Sequence, residues 1–320
     1  MLSAAVLLPA VLFCVWSGGW WFAALMAAAA SGLGMEWATL CGFQVRVWPG
    51  WVLPVAMGMA ALFSGFGETR DAFLFAIAGA AITAVWASPG GALHMRQDNA
   101  ASRGNPLPPR HGPVEPDHDA RTMALPREFP PGAPYPDAYG ASPATINAAA
   151  PNHRAALILG FPYIGLAAIA MPWLRADPAV GWPNMLFVLA VVWGSDIGAY
   201  MAGRLVGGPK LAPAISPGKT WSGAIGGLIA AALAGLATAA CFSSQFSSSH
   251  VVAVAIGLGV VAQAGDLLES AAKRHFGVKD SGHVIPGHGG LLDRLDALLT
   301  VAPVAAMLAF SVGRGVVLWQ

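Results

Sequence analysis

The chain has 320 residues, 56% of them apolar and only 10% charged, with 17 basic side chains against 16 acidic ones. A soluble domain carries about a quarter charged residues, so composition places this chain in a membrane, and the near-neutral balance makes no case for nucleic acid. Cys14, Cys41 and Cys241 lie in or beside apolar runs without CxxC spacing, and read as small membrane hydrophobes rather than zinc ligands or disulfides.

In chain order, Leu2–Trp16 and Trp20–Leu33 read as two membrane helices in a tight hairpin around Ser17-Gly18-Gly19. No Lys or Arg precedes Arg46, so the charged opening of a signal peptide is missing. Glu36 follows the second run and has two readings, an intramembrane functional acid or an interfacial residue at a helix end. Val52–Phe66 and Ala72–Ala87 supply helices three and four, both short against the ~20 residues of a span. Between Pro89 and Asn152 the chain becomes rich in Pro, Arg, His and Asp without apolar periodicity, which predicts a disordered insert over 89–153. It divides helices 1–4 (residues 1–88) from helices 5–9 (residues 154–320).

Apolar sequence resumes at Ala155–Leu174, where Gly160, Pro162 and Gly165 predict a kinked helix. Met185–Val206 is the sixth, with Asp196, Tyr200 and Arg204 on one face at i, i+4 and i+8. Asp196 reads as a metal ligand or as the partner of Arg204, the second being favoured. A loop follows, containing Ser216-Pro217-Gly218-Lys219-Thr220. It is not a phosphate-binding P-loop, because the pattern needs Gly where Pro213 stands. Ala224–Cys241, Val251–Leu268 and Leu292–Val312 complete a bundle of about nine transmembrane helices, an all-α polytopic fold with a polar site on the cytoplasmic side.

The densest polarity lies between the last two helices. Asp266, Glu269, Lys273, Arg274, Lys279, Asp280, Asp293, Arg294 and Asp296 fall within 31 residues. If the eighth helix continues, Asp266, Ser270 and Lys273 share a face at i, i+4 and i+7, with Glu269 and Arg274 flanking it. The glycines and Pro286 between Gly277 and Gly290 make a loop carrying Lys279, Asp280, His283 and His288. A new helix near Leu291 holds Asp293 and Asp296 in its first turns. Carboxylates converging beside lysines and arginines describe a site for a divalent cation and a polyphosphate, against the alternative of a solvated loop.

The run Ser270-x-x-Lys273-Arg274-x4-Lys279-Asp280, then Pro286-x-His288-Gly289-Gly290-x-x-Asp293-Arg294-x-Asp296, resembles the signature of the phosphatidate cytidylyltransferases. Asp196-x-x-x-Tyr200 with Arg204, and Ser216-Pro217-x-Lys219-Thr220, are similar to a second block of that family. The likeness is good from Asp196 to Asp296, general over the first four helices, and absent over Pro89–Asn152. Ser222 stands where many members have Glu, and Gly218 where they have a second Lys, so neither position receives a role. The resemblance implies an integral inner-membrane enzyme that joins CTP to phosphatidate, releases pyrophosphate and needs Mg2+, with a second cation left open. Within it, Asp266 and Asp280 are the expected metal ligands, with Asp293 and Asp296 as further ligands or their support. Lys219, Lys273, Arg274, Lys279 and Arg294 are expected on phosphates. Ser216, Thr220, Ser270, Gly289 and Gly290 are expected on substrate, and His288 either there or in a structural turn. Relatives acting on a polyprenol or an ether-linked lipid phosphate, and more remotely a transporter, are the alternatives. Expected partners are CTP, phosphatidate and the bilayer, with a homodimer compatible. With nine spans, 14 of the 17 basic residues fall on one side, which the positive-inside rule makes cytoplasmic.

Overall fold

The computed structural model describes residues 2–43, 45, 50–86, 153–278, 280–282 and 289–320. The insert, Arg46, Lys279, His283 and His288 lie outside these residues. Nine helices and one small hairpin are described: α1 Leu2–Ser17, α2 Gly19–Leu40, α3 Val52–Gly65, α4 Thr69–Trp86, α5 His153–Arg175, α6 Gly181–Leu205, β1 Lys210–Ala212, β2 Ser216–Thr220, α7 Trp221–Phe242, α8 Ser248–His275 and α9 Leu292–Val312. Six of them, α4 through α9, contain stretches long and apolar enough to cross a membrane. This agrees with an all-α polytopic membrane protein. Of the other three, α1 and α3 are only 16 and 14 residues long. The 22-residue α2 mixes its apolar residues with Trp, Gly, Ser and Glu36.

Three local structures differ from expectation. Helix α2 runs on to Leu40, so that Glu36 lies inside the helix rather than after it. Helix α8 runs on to His275, so that Asp266, Glu269, Ser270, Lys273 and Arg274 all ride on one rigid element. It stops at Gly277, whose φ of 67° suits a residue without Cβ. The loop after α6 forms an antiparallel hairpin, with Lys210 opposite Thr220 and Ala212 opposite Ser216. Pro209, Pro213 and Pro217 bar a helix there, and the short strands satisfy each other's backbone. Thr220 then caps α7, its Oγ1 accepting the Gly223 amide at 3.1 Å.

Helix α9 lies at the centre of the packing. One face (Ala297, Leu298, Val301, Ala305) joins a core built with α6, α7 and α8. Another (Leu292, Leu299, Ala302) joins a core built with α2, α3 and α5. Helices α6 and α7 approach so closely that a Cβ on Gly198 would collide with Ala230, and one on Gly226 with Ala202. Small residues of this kind let helix backbones meet where no hydrophobic effect drives them together. Arg175 closes the C-terminal end of α5 onto α1 by donating to the carbonyls of Val15 and Trp16, at 2.6 and 2.9 Å.

Gly198→Leu should therefore overpack the α6–α7 seam, at a cost of about 1–3 kcal/mol or more. Thermal unfolding in detergent should fall by several degrees, roughly as that cost implies. Gly257→Ala, where a Cβ would meet nothing within 4 Å, should leave the transition in place or raise it slightly, as a clash-free Gly→Ala in a helix does.

Candidate active site

Three carboxylates meet where α8 and α9 run side by side. Asp266, Glu269 and Asp296 each present an oxygen, and these oxygens all lie within 4.8 Å of one another. Asp266 and Glu269 are three residues apart on α8, and so share a face. Asp296 enters from the second turn of α9. Glu269 is 1% exposed, and its Oε1 has no hydrogen-bond partner. A buried, unsatisfied acceptor is costly, and beside two further carboxylates it is an atom that a bound cation would satisfy. The residues therefore fit a divalent metal, with all-oxygen donors of the hard type.

Two lysines already sit on this acidic cluster. Lys219, from β2, lies 2.6 Å from Asp266. Lys273, one turn beyond Glu269 on α8, bridges Glu269 and Asp293, at 2.8 Å to each. The hairpin and the two helices thus deliver opposite charges to one place, as the two sequence blocks require if they serve one substrate. Arg274 ties α8 to the hairpin through a weak bond, 3.4 Å, from its Nε to the Ile215 carbonyl.

The remaining expected site residues separate into distinct surroundings. Asp293 accepts the Gly290 amide at 3.0 Å and the Ser281 amide at 3.2 Å, as well as Lys273. Its oxygens hold the loop. Thr220 is buried, with its hydroxyl shared between the α7 cap and Ser222 Oγ at 3.0 Å. Ser222 in turn donates to the Gly207 carbonyl. Ser216 begins β2, and Ser270 sits half-buried on α8. Asp280 is exposed and does not join the acidic cluster, whereas Glu269, passed over as a ligand from sequence, does. The i, i+3 spacing from Asp266 was the signal available for Glu269. Arg204 donates to Tyr200 Oη at 3.0 Å, rather than pairing with Asp196. Asp196 instead lies near enough to the cluster to feel the charges of Asp266 and Lys219.

Beside the cluster lies a cavity of about 660 Å³. Its walls come from α1, α2, α5, α6 and α9, including Val15, Phe22, Ile164, Trp193 and Leu298, and Arg294 is the one charged residue on them among the described residues. Opposite faces of the first turns of α9 thus meet different environments, with Asp293 and Asp296 towards the ion pairs and Arg294, Leu295 and Leu298 towards the cavity.

Residues 1–312 match the family model described as the cytidylyltransferase family. The chain belongs to the cytidylyltransferase family. It is similar to the phosphatidate cytidylyltransferase of Brucella suis biovar 1 (strain 1330), with 50% identity over 143 residues, 45% of this chain and 53% of that protein. The phosphatidate cytidylyltransferase of Staphylococcus saprophyticus subsp. saprophyticus is 39% identical over 155 residues, 48% of this chain and 58% of that protein. The chain thus spans about half the length of the curated relatives it matches.

If the cluster holds the cation of this cytidylyltransferase-family protein, Mn2+ binding by the purified protein should weaken by more than about 100-fold in Asp266→Asn, Glu269→Gln and Asp296→Asn, beyond the ~10–100-fold seen when only a group supporting a ligand is lost. Asp280→Asn should bind Mn2+ within a few-fold of wild type. Titration followed by electron paramagnetic resonance reads both outcomes.

Proposed function

We propose that this protein transfers the cytidylyl group of CTP to phosphatidate, giving CDP-diacylglycerol and pyrophosphate. The observation that carries the reading is the junction made by α9 between a lysine-carboxylate cluster and an apolar cavity with Arg294 on its wall. An acceptor with a phosphate head and acyl tails matches that junction, whereas a water-soluble acceptor would have no use for the cavity. The names of the relatives point the same way.

In the reaction, a phosphate oxygen of phosphatidate attacks the α-phosphorus of CTP and forms a new P–O–P linkage. The bond from the α-phosphorus to its bridging oxygen breaks, and pyrophosphate leaves with the electron pair. No covalent enzyme intermediate is needed, so the protein's task is to hold two anions together and to neutralise charge on the departing oxygens. Lys219 and Lys273 suit that task, since both ammonium groups stand at the cluster already. Arg274 and Lys279 would extend the phosphate site, while Ser216, Ser270, Gly289, Gly290 and His288 lie along the same two segments. Arg294 would take the phosphate of the lipid at the mouth of the cavity. A cation held by Asp266, Glu269 and Asp296, Mg2+ by its preference for oxygen, would neutralise phosphate charge when bound. The charge bias of the loops supports a site facing the cytoplasm from the inner membrane.

Purified protein should convert labelled CTP and phosphatidate to CDP-diacylglycerol with Mg2+ and not without it. Lys219→Met and Lys273→Met should each lower kcat, and the double variant should be little worse than either, because residues acting as a unit are non-additive. Losses that multiply cleanly would mean two independent sites.

A further inference from the structure

Glu36 stands outside the acidic cluster, yet it is 3% exposed and held by three donors. Its Oε1 accepts the Leu291 amide at 2.7 Å. Its Oε2 accepts the Leu292 amide at 2.7 Å and the Ser281 hydroxyl at 3.2 Å. The first amides of a helix have no partner within it, and Leu291, the N-cap residue of α9, supplies no side-chain cap. The cap therefore comes from α2, at a sequence separation of 255 residues, and it brings a negative charge to the positive end of the helix.

A cap alone needs one acceptor, and Ser, Thr, Asn or Asp next to the helix provides it. Glu36 does more, because it joins two pieces of chain. Ser281 is gripped at both ends, its hydroxyl by Glu36 and its amide by Asp293. Gly290 is squeezed between them: a Cβ there would collide with Ser281 Oγ and come within 2.8 Å of Glu36 Oε2. The residue after Leu292 is Asp293, which receives Lys273, and one turn further on is Asp296, which completes the acidic cluster.

We infer that Glu36 is a positioning residue for the transfer reaction. By fixing residues 281–282 and 289–292, it sets the angle and register at which α9 presents Asp293, Arg294 and Asp296 to α8. Helix α2 also walls the apolar cavity through Ala29, Ala30 and Leu33. The same helix thus borders the apolar cavity and locks the polar loop.

The inference rests on the reading of the site as a cytidylyl-transfer centre, so its test includes two measurements independent of turnover. In Glu36→Gln, the side-chain NH2 replaces one of two acceptors that face backbone donors. Hydrogen exchange of whichever amide, Leu291 or Leu292, faces the new NH2 should rise about tenfold or more as its acceptor is lost, with α6 and α7 unchanged. Mn2+ affinity should fall roughly tenfold, and kcat about 10–100-fold, the range of a support residue around a metal site. KM for CTP should stay within a few-fold. Glu36→Asp, which keeps the charge and both oxygens, should recover more of kcat than Gln. Unchanged exchange at Leu291 and Leu292 would overturn the inference. So would faster exchange with Mn2+ affinity and kcat both preserved, which would leave Glu36 a simple cap. If Glu36→Gln does not fold, Ser281→Ala decides, since it removes one grip only: a loss of kcat and of Mn2+ affinity supports the inference and wild-type values overturn it. A wild-type protein without transfer activity would sink the functional reading alone, and the exchange and Mn2+ measurements would still judge Glu36.

Discussion

Lys273 holds the architecture of the site together. Its ammonium group lies between Glu269, one turn earlier on the same helix, and Asp293, on the first turn of the next membrane helix. It is mostly buried, as is Glu269. Breaking a buried ion pair by removing one partner leaves an uncompensated charge and costs about 3–5 kcal/mol. The pairing therefore fixes α8 against α9 at their polar ends, where apolar packing has least to offer. The loop from Ser281 and the start of α9 are both organised by the same Asp293.

Below that pin, the two helices pack as membrane helices do, through small residues and few polar bonds. Thr300 donates to the Val261 carbonyl at 3.2 Å, and Gly265 leaves no room there for a side chain. Between that pin and this seam stand carboxylates and an amine that are expensive to keep near hydrocarbon unless they pair or bind something. Asp266, Glu269 and Asp293 do the first, and an unsatisfied oxygen on Glu269 makes room for the second. The chemistry proposed for the site follows from this arrangement. An anionic substrate entering it meets ammonium groups, and the carboxylates that those groups leave can then hold a cation.

Much of this was readable from the residues. Apolar runs located most helix ends to within a few positions, because membrane segments leave little ambiguity in composition, but α2 and α8 run on through polar residues past the apolar runs that marked them. Asp266, Lys273 and Asp293 announced themselves as charges where charge is rare, and Lys219 through its likeness to a known block. What could not be read was which charge meets which. Glu269 and Asp280 looked alike in sequence, and only the course of α8 buries one and leaves the other exposed. Glu36 lies more than 200 positions from its partners, a separation that local spacing rules do not reach. The β-hairpin was hidden because its strands are three and five residues long, too short for an alternating pattern to show.

The central claim is that Asp266, Glu269 and Asp296 form the cation site of a single composite centre. Anomalous diffraction from crystals grown with Mn2+ tests it most directly. The account predicts one strong peak within coordination distance of all three carboxylates, beside Lys219 and Lys273. A peak at Asp280 with none at the cluster, or no peak near either, would contradict it.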